Sequence, residues 1–532
     1  MKKQIQLMLA ALCFILCAAG VTGCAKGAVE STESTNDMNV LSIAVGHELT
    51  TLYPLNMDEQ NLSATRLCYE GLVYYEDGEV QPWLAKSWVV SEDGKTITFK
   101  LRENVTFHDN TVFNAEAVKS NFEFKQVTPN FRAWPAVTKI KEIEVVDEYT
   151  VAFHYEQPYF GYLLDFSFRE VMACVSPNVI EMDNFKTLKG VVGTGPYIYS
   201  EVVDGDYVKF IKNENYWGKE GSYDEIFVKY IPESSSRLLA LQKGEIDVIY
   251  GSALITWDDY QHAITNDDIS GEISEIDTKS VYFVVNAGNQ VLKDKKVREA
   301  VAYAIDKKSI CDGLTHGNQN PAQNLFPEGN FLSDVEMKTY REFNVEKAMV
   351  LLDQAGWVTN RETGFREKEG QKLSFKMTYN SGEEMNSMLS SVVKSQLSDI
   401  GIDVVTEGQD MMTWWKEGVA GNYGAIIWAT EENTSPQINF LKMLNSSPHT
   451  PSLNALKDSS KIFDSIDAAQ TIGNMDEAKA KLGEVMNYNN DNVIEIPLYY
   501  VKDMILYNNK TIKDYTFTDT PVMFEIDNIQ AQ

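Results

Sequence analysis

Cysteine, histidine and positive charge are all scarce in this chain of 532 residues. It has six cysteines and six histidines, and 77 Asp and Glu outnumber 47 Lys and Arg, for a formal charge of −30. A chain this acidic is not attracted to phosphate backbones, so nucleic acid is not an expected partner. Beyond the N-terminal segment only Cys68, Cys174 and Cys311 remain, and none stands in a CxxC pair. We therefore expect buried thiols rather than a disulfide framework, a redox motif or a thiolate metal site.

The common local catalytic motifs are also missing. The sequence contains no GxSxG, HExxH, GxxxxGK[ST] or GxGxxG pattern, and its histidines stand far apart. We therefore predict no enzyme activity and no cofactor. An exported hydrolase stays an alternative, because the members of a catalytic triad need not be close in sequence.

The N-terminus has the pattern of an export signal. Lys2 and Lys3 precede an apolar run over residues 5–21, which ends in Val-Thr-Gly before Cys24. A basic start, a short apolar run and small residues before a cleavage point are typical of a secretory signal, and Cys24 resembles a bacterial lipobox cysteine. We predict a signal peptide over 1–23, lipidation at Cys24, an extracytoplasmic membrane-anchored protein and a flexible polar tether over 24–39. The alternative is a membrane-spanning anchor.

The remaining 490 or so residues exceed the roughly 250–300 at which a single core stops growing, so at least two domains are expected. Period-two alternation predicts β-hairpins over 88–103 and 143–155, with a short helix over 115–124 between them. A strand over 226–231, a helix over 234–242 and a strand over 246–250 then predict a parallel crossover. The fold class is therefore α/β.

The second half of the chain reads as a second α/β lobe. Strand character is predicted at 281–286 and again at 494–507 near the end. The predicted helices cover 297–311, 345–355, 385–400 and 459–487, and the strands that alternate with them cover 373–379, 402–407 and 423–429.

Aromatic residues are plentiful, with nine Trp, 26 Tyr and 24 Phe. Trp134, the pair Trp414–Trp415, and Trp428 stand in segments that read as loops. Aromatic side chains with a few polar groups are typical of small-ligand clefts, although ordinary core packing uses the same residues. Trp428 and Trp134 are candidate ligand contacts.

Several segments together resemble one family, the family 5 extracellular solute-binding proteins, which include the dipeptide, oligopeptide and nickel receptors of ABC importers. Asn110 stands where the pattern commonly has glycine, and asparagine tolerates the same positive φ. The matching segments, in the family's order, are residues 82–118, 192–197 (VGTGPY), 213–218 (NENYWG), 237–247, 297–308 and 351–357 (LLDQAGW).

The resemblance implies a two-lobed periplasmic-binding-protein-like fold of type II, in its large class with an extra subdomain in lobe I. Two strand-like crossovers would join the lobes near residues 279–286 and 494–500. The implied domains are lobe I over 40–280 with an inserted subdomain at about 73–189, lobe II over 281–493, and a return to lobe I over 494–532.

Within the family, the nickel receptors are the most similar, by the segments 213–218, 243–251 and 297–319. In that branch the metal is held as a chelate by arginines, aromatic residues and one histidine. Carried over, the resemblance makes His449 the metal contact, Trp134 the cleft tryptophan, and Arg132 and Arg169 the arginines that bind the chelate. The tyrosine that the family places before an Asp-Pro pair is Thr434 here.

A peptide is the alternative ligand. Peptide receptors of this family fix the ammonium of the ligand with an acidic residue, and Glu432 in the segment 431–436 could take that role. The resemblance also implies permease and ATPase subunits of an ABC importer as partners of a monomeric receptor. A sensor without transport would need the same cleft, so the sequence leaves that alternative open.

Overall fold

The computed structural model describes residues 39–49, 59–76, 79–131, 134–168, 171–181, 188–430, 440, 447–518 and 524–532. The predicted signal peptide, Cys24 and the tether up to residue 38 lie outside this set. In the part of the chain that is described, no helix has the length and apolar character needed to cross a membrane.

The described elements alternate between strands and helices along the chain. In order, the strands are β1 Val40–Val45, β2 Val73–Glu76, β3 Glu79–Pro82, β4 Ala85–Val90, β5 Thr96–Leu101, β6 Ile140–Asp147, β7 Thr150–Tyr155, β8 Tyr197–Val203, β9 Tyr207–Lys212, β10 Glu225–Tyr230, β11 Val248–Tyr250, β12 Ile269–Ile273, β13 Lys279–Val285, β14 Asn320–Pro321, β15 Val358–Thr359, β16 Arg366–Lys368, β17 Gln371–Lys372, β18 Ser374–Asn380, β19 Asp403–Gln409, β20 Ala425–Ala429, β21 Glu495–Val501, β22 Met504–Asn508, β23 Ile512–Tyr515 and β24 Ile529–Ala531. The α-helices are α1 Glu59–Cys68, α2 Ala115–Val127, α3 Pro135–Thr138, α4 Tyr162–Ser167, α5 Ser234–Lys243, α6 Trp257–Ala263, α7 Lys295–Ala304, α8 Lys307–Leu314, α9 Val345–Gln354, α10 Glu384–Ser398, α11 Met411–Ala420, α12 His449–Asn454, α13 Ser460–Ala469 and α14 Met475–Asp491.

Two large sheets carry most of these strands. The first has seven strands in the order β12-β22-β11-β1-β10-β9-β8, and we call the part of the chain built on it lobe I. The second has six strands in the order β14-β21-β13-β20-β18-β19, and we call that part lobe II. Buried apolar side chains lie on both faces of each sheet, as expected when helices cover both sides. The two-lobed α/β prediction is confirmed.

The predicted parallel crossover is present in lobe I. β1 pairs in parallel with both β10 and β11, and α5 connects those two strands. In lobe II, β18 pairs in parallel with β19 and β20, whereas β13 and β21 run antiparallel to each other. The parallel strands β11 and β20 are mostly buried, which explains why their sequences are continuous apolar runs.

A four-stranded sheet in the order β4-β5-β7-β6 forms the inserted subdomain together with α2. Both hairpins predicted here are confirmed, and so is the helix between them, whose Phe122 is fully buried. The ring of Phe122 lies 4.8 Å from Phe153 and 5.2 Å from Phe166, so aromatic packing joins α2 to the sheet.

The chain passes between the two large sheets twice. It leaves lobe I after β12, through residues 274–278, and returns between β21 and β22 at Lys502–Asp503. The backbone N–H of Ser274 donates to Asp503 O at 2.8 Å, and the N–H of Asp503 donates to Ser274 Oγ at 3.0 Å. The two crossings are therefore bonded to each other. The strand character predicted over 494–507 is confirmed, and it is divided between two strands, β21 and β22, that belong to different sheets. The predicted bounds of the lobes stay a prediction.

Two predicted helices are each two helices in the structure. The segment 297–311 divides between α7 and α8, where Asp306 accepts a hydrogen bond from the backbone N–H of Ser309 at 3.0 Å. The segment 459–487 divides between α13 and α14, where Asn474 accepts from the N–H of Glu477 at 3.0 Å. Asp and Asn are preferred N-cap residues, so each starts a new helix inside an apolar pattern that continues across it.

Candidate functional site

Both large sheets present the carboxyl ends of their parallel strands on the side of the crossings. In lobe I, Tyr250 at the end of β11 pairs with Ile505 near the start of β22, and β1 and β10 run in the direction of β11. In lobe II, Ala429 at the end of β20 pairs with Val281 near the start of β13, and β18 and β19 run in the direction of β20. We call these two edges the crossing edges. Ligands of open α/β sheets bind outside the carboxyl ends of the strands, so the candidate site lies between the crossing edges.

Three tryptophans cluster at the crossing edge of lobe II. Trp428 is the penultimate residue of β20, and α11 begins two residues after β19 ends. The ring of Trp414 stacks on Trp428 with centroids 4.5 Å apart and planes at 23°, and Trp415 lies 5.4 Å from Trp428. Met412, in the first turn of α11, is 74% exposed. This edge is therefore an apolar aromatic surface of the kind that small-ligand sites use. Trp414 and Trp415 lie in a helix and Trp428 lies in a strand, rather than in the loops that the sequence indicated.

At the crossing edge of lobe I, a narrow apolar pocket lies between the strand ends and α1. Its lining includes Val45, Ala64, Tyr250, Leu254 and Phe524. The pocket holds only ≈ 30 Å³, whereas small-molecule sites measure about 300–1,000 Å³. It is too small for a chelate or a peptide.

His449 is buried in lobe II with partners on both ring nitrogens. Its Nδ1 lies 2.7 Å from Ser447 Oγ, and its Nε2 lies 3.1 Å from Glu495 Oε1 and 3.5 Å from the Tyr282 hydroxyl. The side chains of His449 and Glu495 are 2% and 4% exposed. A metal could reach Nε2 only if Glu495 moved away, so the metal role of His449 stays a prediction. The described residues contain no group of three or more His, Cys, Asp or Glu that could hold a metal ion.

Trp134 lies in the core of the subdomain. It is 2% exposed and its ring stacks on Phe168 at 5.3 Å. Core packing, which the sequence left open as the second interpretation, describes its position in this structure, and its proposed contact with a ligand stays a prediction. Arg132, Arg169, Glu432 and Cys24, the other predicted site residues, lie outside the described residues.

One buried carboxylate, which the sequence analysis did not single out, accepts hydrogen bonds from several of the segments that match the family. Glu70 is 3% exposed and accepts four hydrogen bonds, from Trp83 Nε1 at 2.7 Å, Thr194 Oγ1 at 2.7 Å, Tyr216 OH at 2.7 Å and Trp217 Nε1 at 2.9 Å. Burial raises the pKa of Glu70, and the four hydrogen bonds oppose that shift. The signal in the sequence was that all four donors, Trp83, Thr194, Tyr216 and Trp217, stand in segments that match the family pattern.

The lobes also touch away from the crossings. The backbone N–H of Phe160, in the subdomain, donates to Ile472 O of lobe II at 2.8 Å. The ring of Phe160 lies 5.5 Å from Phe331, and a Cβ placed on Gly473 would be 3.1 Å from Cβ of Pro158. These residues form a contact between the lobes that does not involve the two crossings, which we call the hinge segments.

The three cysteines beyond the N-terminal segment are free and buried, as the sequence predicts. Burial raises the pKa of Cys174 to about 11 and that of Cys311 to about 12. Thiols with a pKa this high stay protonated at neutral pH and are poor nucleophiles.

Comparison with known proteins agrees with this architecture. The chain is 27% identical over 483 residues to the nickel-binding periplasmic protein of Escherichia coli, covering 88% of this chain and 91% of that protein. It is 26% identical over 396 residues to the oligopeptide-binding protein AppA of Bacillus subtilis, covering 72% and 71%. The crystal structure of NikA from Brucella suis in complex with Fe(III)-EDTA superposes with a TM-score of 0.85 at 27% identity, covering 93% of this chain and all of that one. The family model for bacterial extracellular solute-binding proteins, family 5, matches residues 79–452. With 374 of its 532 residues inside that match, the chain belongs to the family 5 bacterial extracellular solute-binding proteins.

Proposed function

We propose that this protein is the receptor of an ABC importer and that it captures nickel as a complex with a small chelator. The observation that carries the proposal is the similarity to the E. coli nickel-binding protein, which extends over 88% of this chain and 91% of that one. The superposition on the Brucella NikA complex supports a chelated metal, because that protein holds iron bound by EDTA.

The proposed binding step closes the two lobes over the solute. Groups on both crossing edges contact the solute at once only when the lobes are closed, so the solute binds the closed form more tightly and shifts the population toward it. The aromatic surface of Trp414, Trp415 and Trp428 supplies the apolar part of the site. From the resemblance, Arg132 and Arg169 are proposed to bind carboxylates of the chelator through their planar guanidinium groups.

The location and the partners belong to the same proposal. Lipid on Cys24 would keep the receptor at the outer face of the cytoplasmic membrane, and the tether would set how far it reaches. The closed receptor, as a monomer, would then dock on permease subunits that an ATPase drives. The relatives are named as binding proteins, and no catalytic step is proposed for this chain.

A peptide receptor is the second candidate. The similarity to the oligopeptide-binding protein AppA favours it, over 72% of this chain. In that case Glu432 would pair with the ammonium group of the peptide in a charge-assisted hydrogen bond.

Native mass spectrometry of the protein purified from its own host separates the two candidates. We expect a bound mass with the isotope pattern of nickel. Isothermal titration of the stripped protein should then show a heat of binding for nickel complexed with two equivalents of L-histidine, and none for a pool of tripeptides. A series of bound peptide masses, with heat from the peptide pool alone, would overturn the nickel proposal in favour of the peptide receptor.

A further inference from the structure

Two buried polar atoms at the crossing edge of lobe II have no hydrogen-bond partner among the described residues. They are the indole Nε1 of Trp414 and the amide Oε1 of Gln409. Gln409, the last residue of β19, is 8% exposed. Its Nε2 donates to Glu407 Oε1 at 2.6 Å, which orients the amide, because a carboxylate only accepts. The edge therefore holds one unused donor and one unused acceptor.

Leaving these atoms unpaired is costly. A buried polar group without a partner costs about 1–3 kcal/mol, and native proteins contain few of them. Both atoms lie at the start of α11, because Asp410 follows Gln409 and the backbone N–H of Trp414 donates to Asp410 O at 2.8 Å. The ring of Trp414 is fixed by its stack on Trp428, which holds the indole N–H in place.

The location of the two atoms suggests a ligand. They lie where the parallel strands β18, β19 and β20 end, on the side from which both crossings reach lobe I. A group that is buried and unpaired at the edge of the cleft can be satisfied by a solute that enters when the residues covering that group move aside.

We propose that Trp414 Nε1 donates a hydrogen bond to an oxygen of the solute and that Gln409 Oε1 accepts one from an N–H of the solute. This inference rests on the proposed function as a receptor. It narrows the cargo to a chelate whose ligand brings both groups, as an amino-acid chelator does with its carboxylate and its amine or imidazole N–H. A complex with EDTA brings only acceptors, because its nitrogens carry no hydrogen.

The donor is tested by Trp414→Phe, which keeps an aromatic ring for the stack and removes the N–H. Titration with the nickel complex of L-histidine should show a dissociation constant raised roughly tenfold. Trp357→Phe is the matched control: it removes the same N–H from a buried tryptophan in the core on the other face of the lobe II sheet, and should leave affinity unchanged. If Trp414→Phe folds poorly, benzothienylalanine at position 414 removes the N–H without changing the ring size.

The role of Gln409 Oε1 as an acceptor is tested by the selectivity of the protein between two nickel complexes. Wild type should bind the histidine complex of nickel more tightly than nickel–EDTA, and Gln409→Leu should reduce that preference roughly tenfold. A purely structural role would change the melting temperature and leave the ratio of the two affinities unaltered, which would overturn the assignment of Gln409.

The failure of this inference differs from the failure of the proposed function. Unchanged affinity in Trp414→Phe, with nickel still bound, would overturn the assignment of Trp414, for instance if a buried water pairs with it, and leave the nickel receptor standing. Binding of tripeptides alone, weakened by Trp414→Phe, would overturn the nickel cargo and support the contact. If wild type binds neither the nickel complexes nor the tripeptides, both the proposed function and this inference are overturned.

Discussion

Glu70 shows how a single residue can join several of the segments that carry the family pattern. Its carboxylate collects donors from three separate segments: Trp83 after β3, Thr194 before β8, and Tyr216 with Trp217 after β9. The guanidinium of Arg102 lies 4.6 Å from the centre of the Trp217 ring and covers the same cluster. The polar groups of these segments are thus used to fasten the subdomain to lobe I.

Replacing Glu70 should therefore affect stability before it affects binding. Glu70→Leu removes all four hydrogen bonds, including the one from the buried Thr194 hydroxyl, and we expect it to lower the free energy of unfolding by about 3–5 kcal/mol. Glu70→Gln keeps the shape and one acceptor oxygen, so its loss should be smaller. Urea denaturation followed by tryptophan fluorescence measures both. Equal stability of Glu70→Leu and wild type would show that the four hydrogen bonds contribute nothing net.

At the scale of elements, the segment before β8 packs directly against the end of α1. The backbone N–H of Gly195 donates to Cys68 O at 2.8 Å, and His108 N–H donates to Gly193 O at 2.8 Å. A Cβ on Gly195 would lie 2.7 Å from Leu67 O, and one on Gly193 would overlap Cys68 O. The segment is a close backbone contact that only glycine permits.

Gly193→Ala should consequently push this segment away from α1. We expect a loss of stability of about 3 kcal/mol or more, because the methyl group meets backbone atoms that cannot rotate away. Gly313→Ala is the control: it lies in α8 with no atom within 4 Å of the added Cβ, and should be neutral or slightly stabilising. Thermal unfolding of the two variants compares them, and equal melting temperatures would contradict the close contact.

The sequence predicts elements whose signals are local and misses what depends on distant partners. The turn at 92–95 and alternating apolar residues predict β4 and β5 correctly. Asp306 is also a local signal for the start of a helix. The apolar pattern continues across it, however, so the sequence predicts one helix where the structure has two. Gln409 shows what the sequence cannot predict, because only the structure shows that its Oε1 has no hydrogen-bond partner among the described residues. Likewise, the pairing of His449 with Glu495 joins residues 46 positions apart, and no spacing rule indicates it.

At the scale of the whole molecule, the relative position of the two lobes depends on more than the two hinge segments. The two crossings hold the lobes together through the bonds between Ser274 and Asp503. Phe160 adds a contact that must break for those lobes to separate, since its ring faces Phe331 and its N–H is bonded to Ile472 O. This contact stabilises the present arrangement of the lobes relative to any in which they lie further apart, and it does so without a solute.

Phe160→Ala should shift the solute-free protein toward open forms. An aromatic pair contributes about 0.5–1.5 kcal/mol beyond its buried area, so the closed population should fall roughly two- to tenfold relative to the open one. Small-angle X-ray scattering should then give a larger radius of gyration for the solute-free variant, and saturating solute should restore the wild-type value. Phe343→Ala, at a lobe II residue that is 49% exposed, is the control and should scatter as wild type does. Identical solute-free scattering from Phe160→Ala and wild type would mean that this contact has no part in closure, and that the hinge segments and the solute alone set the balance.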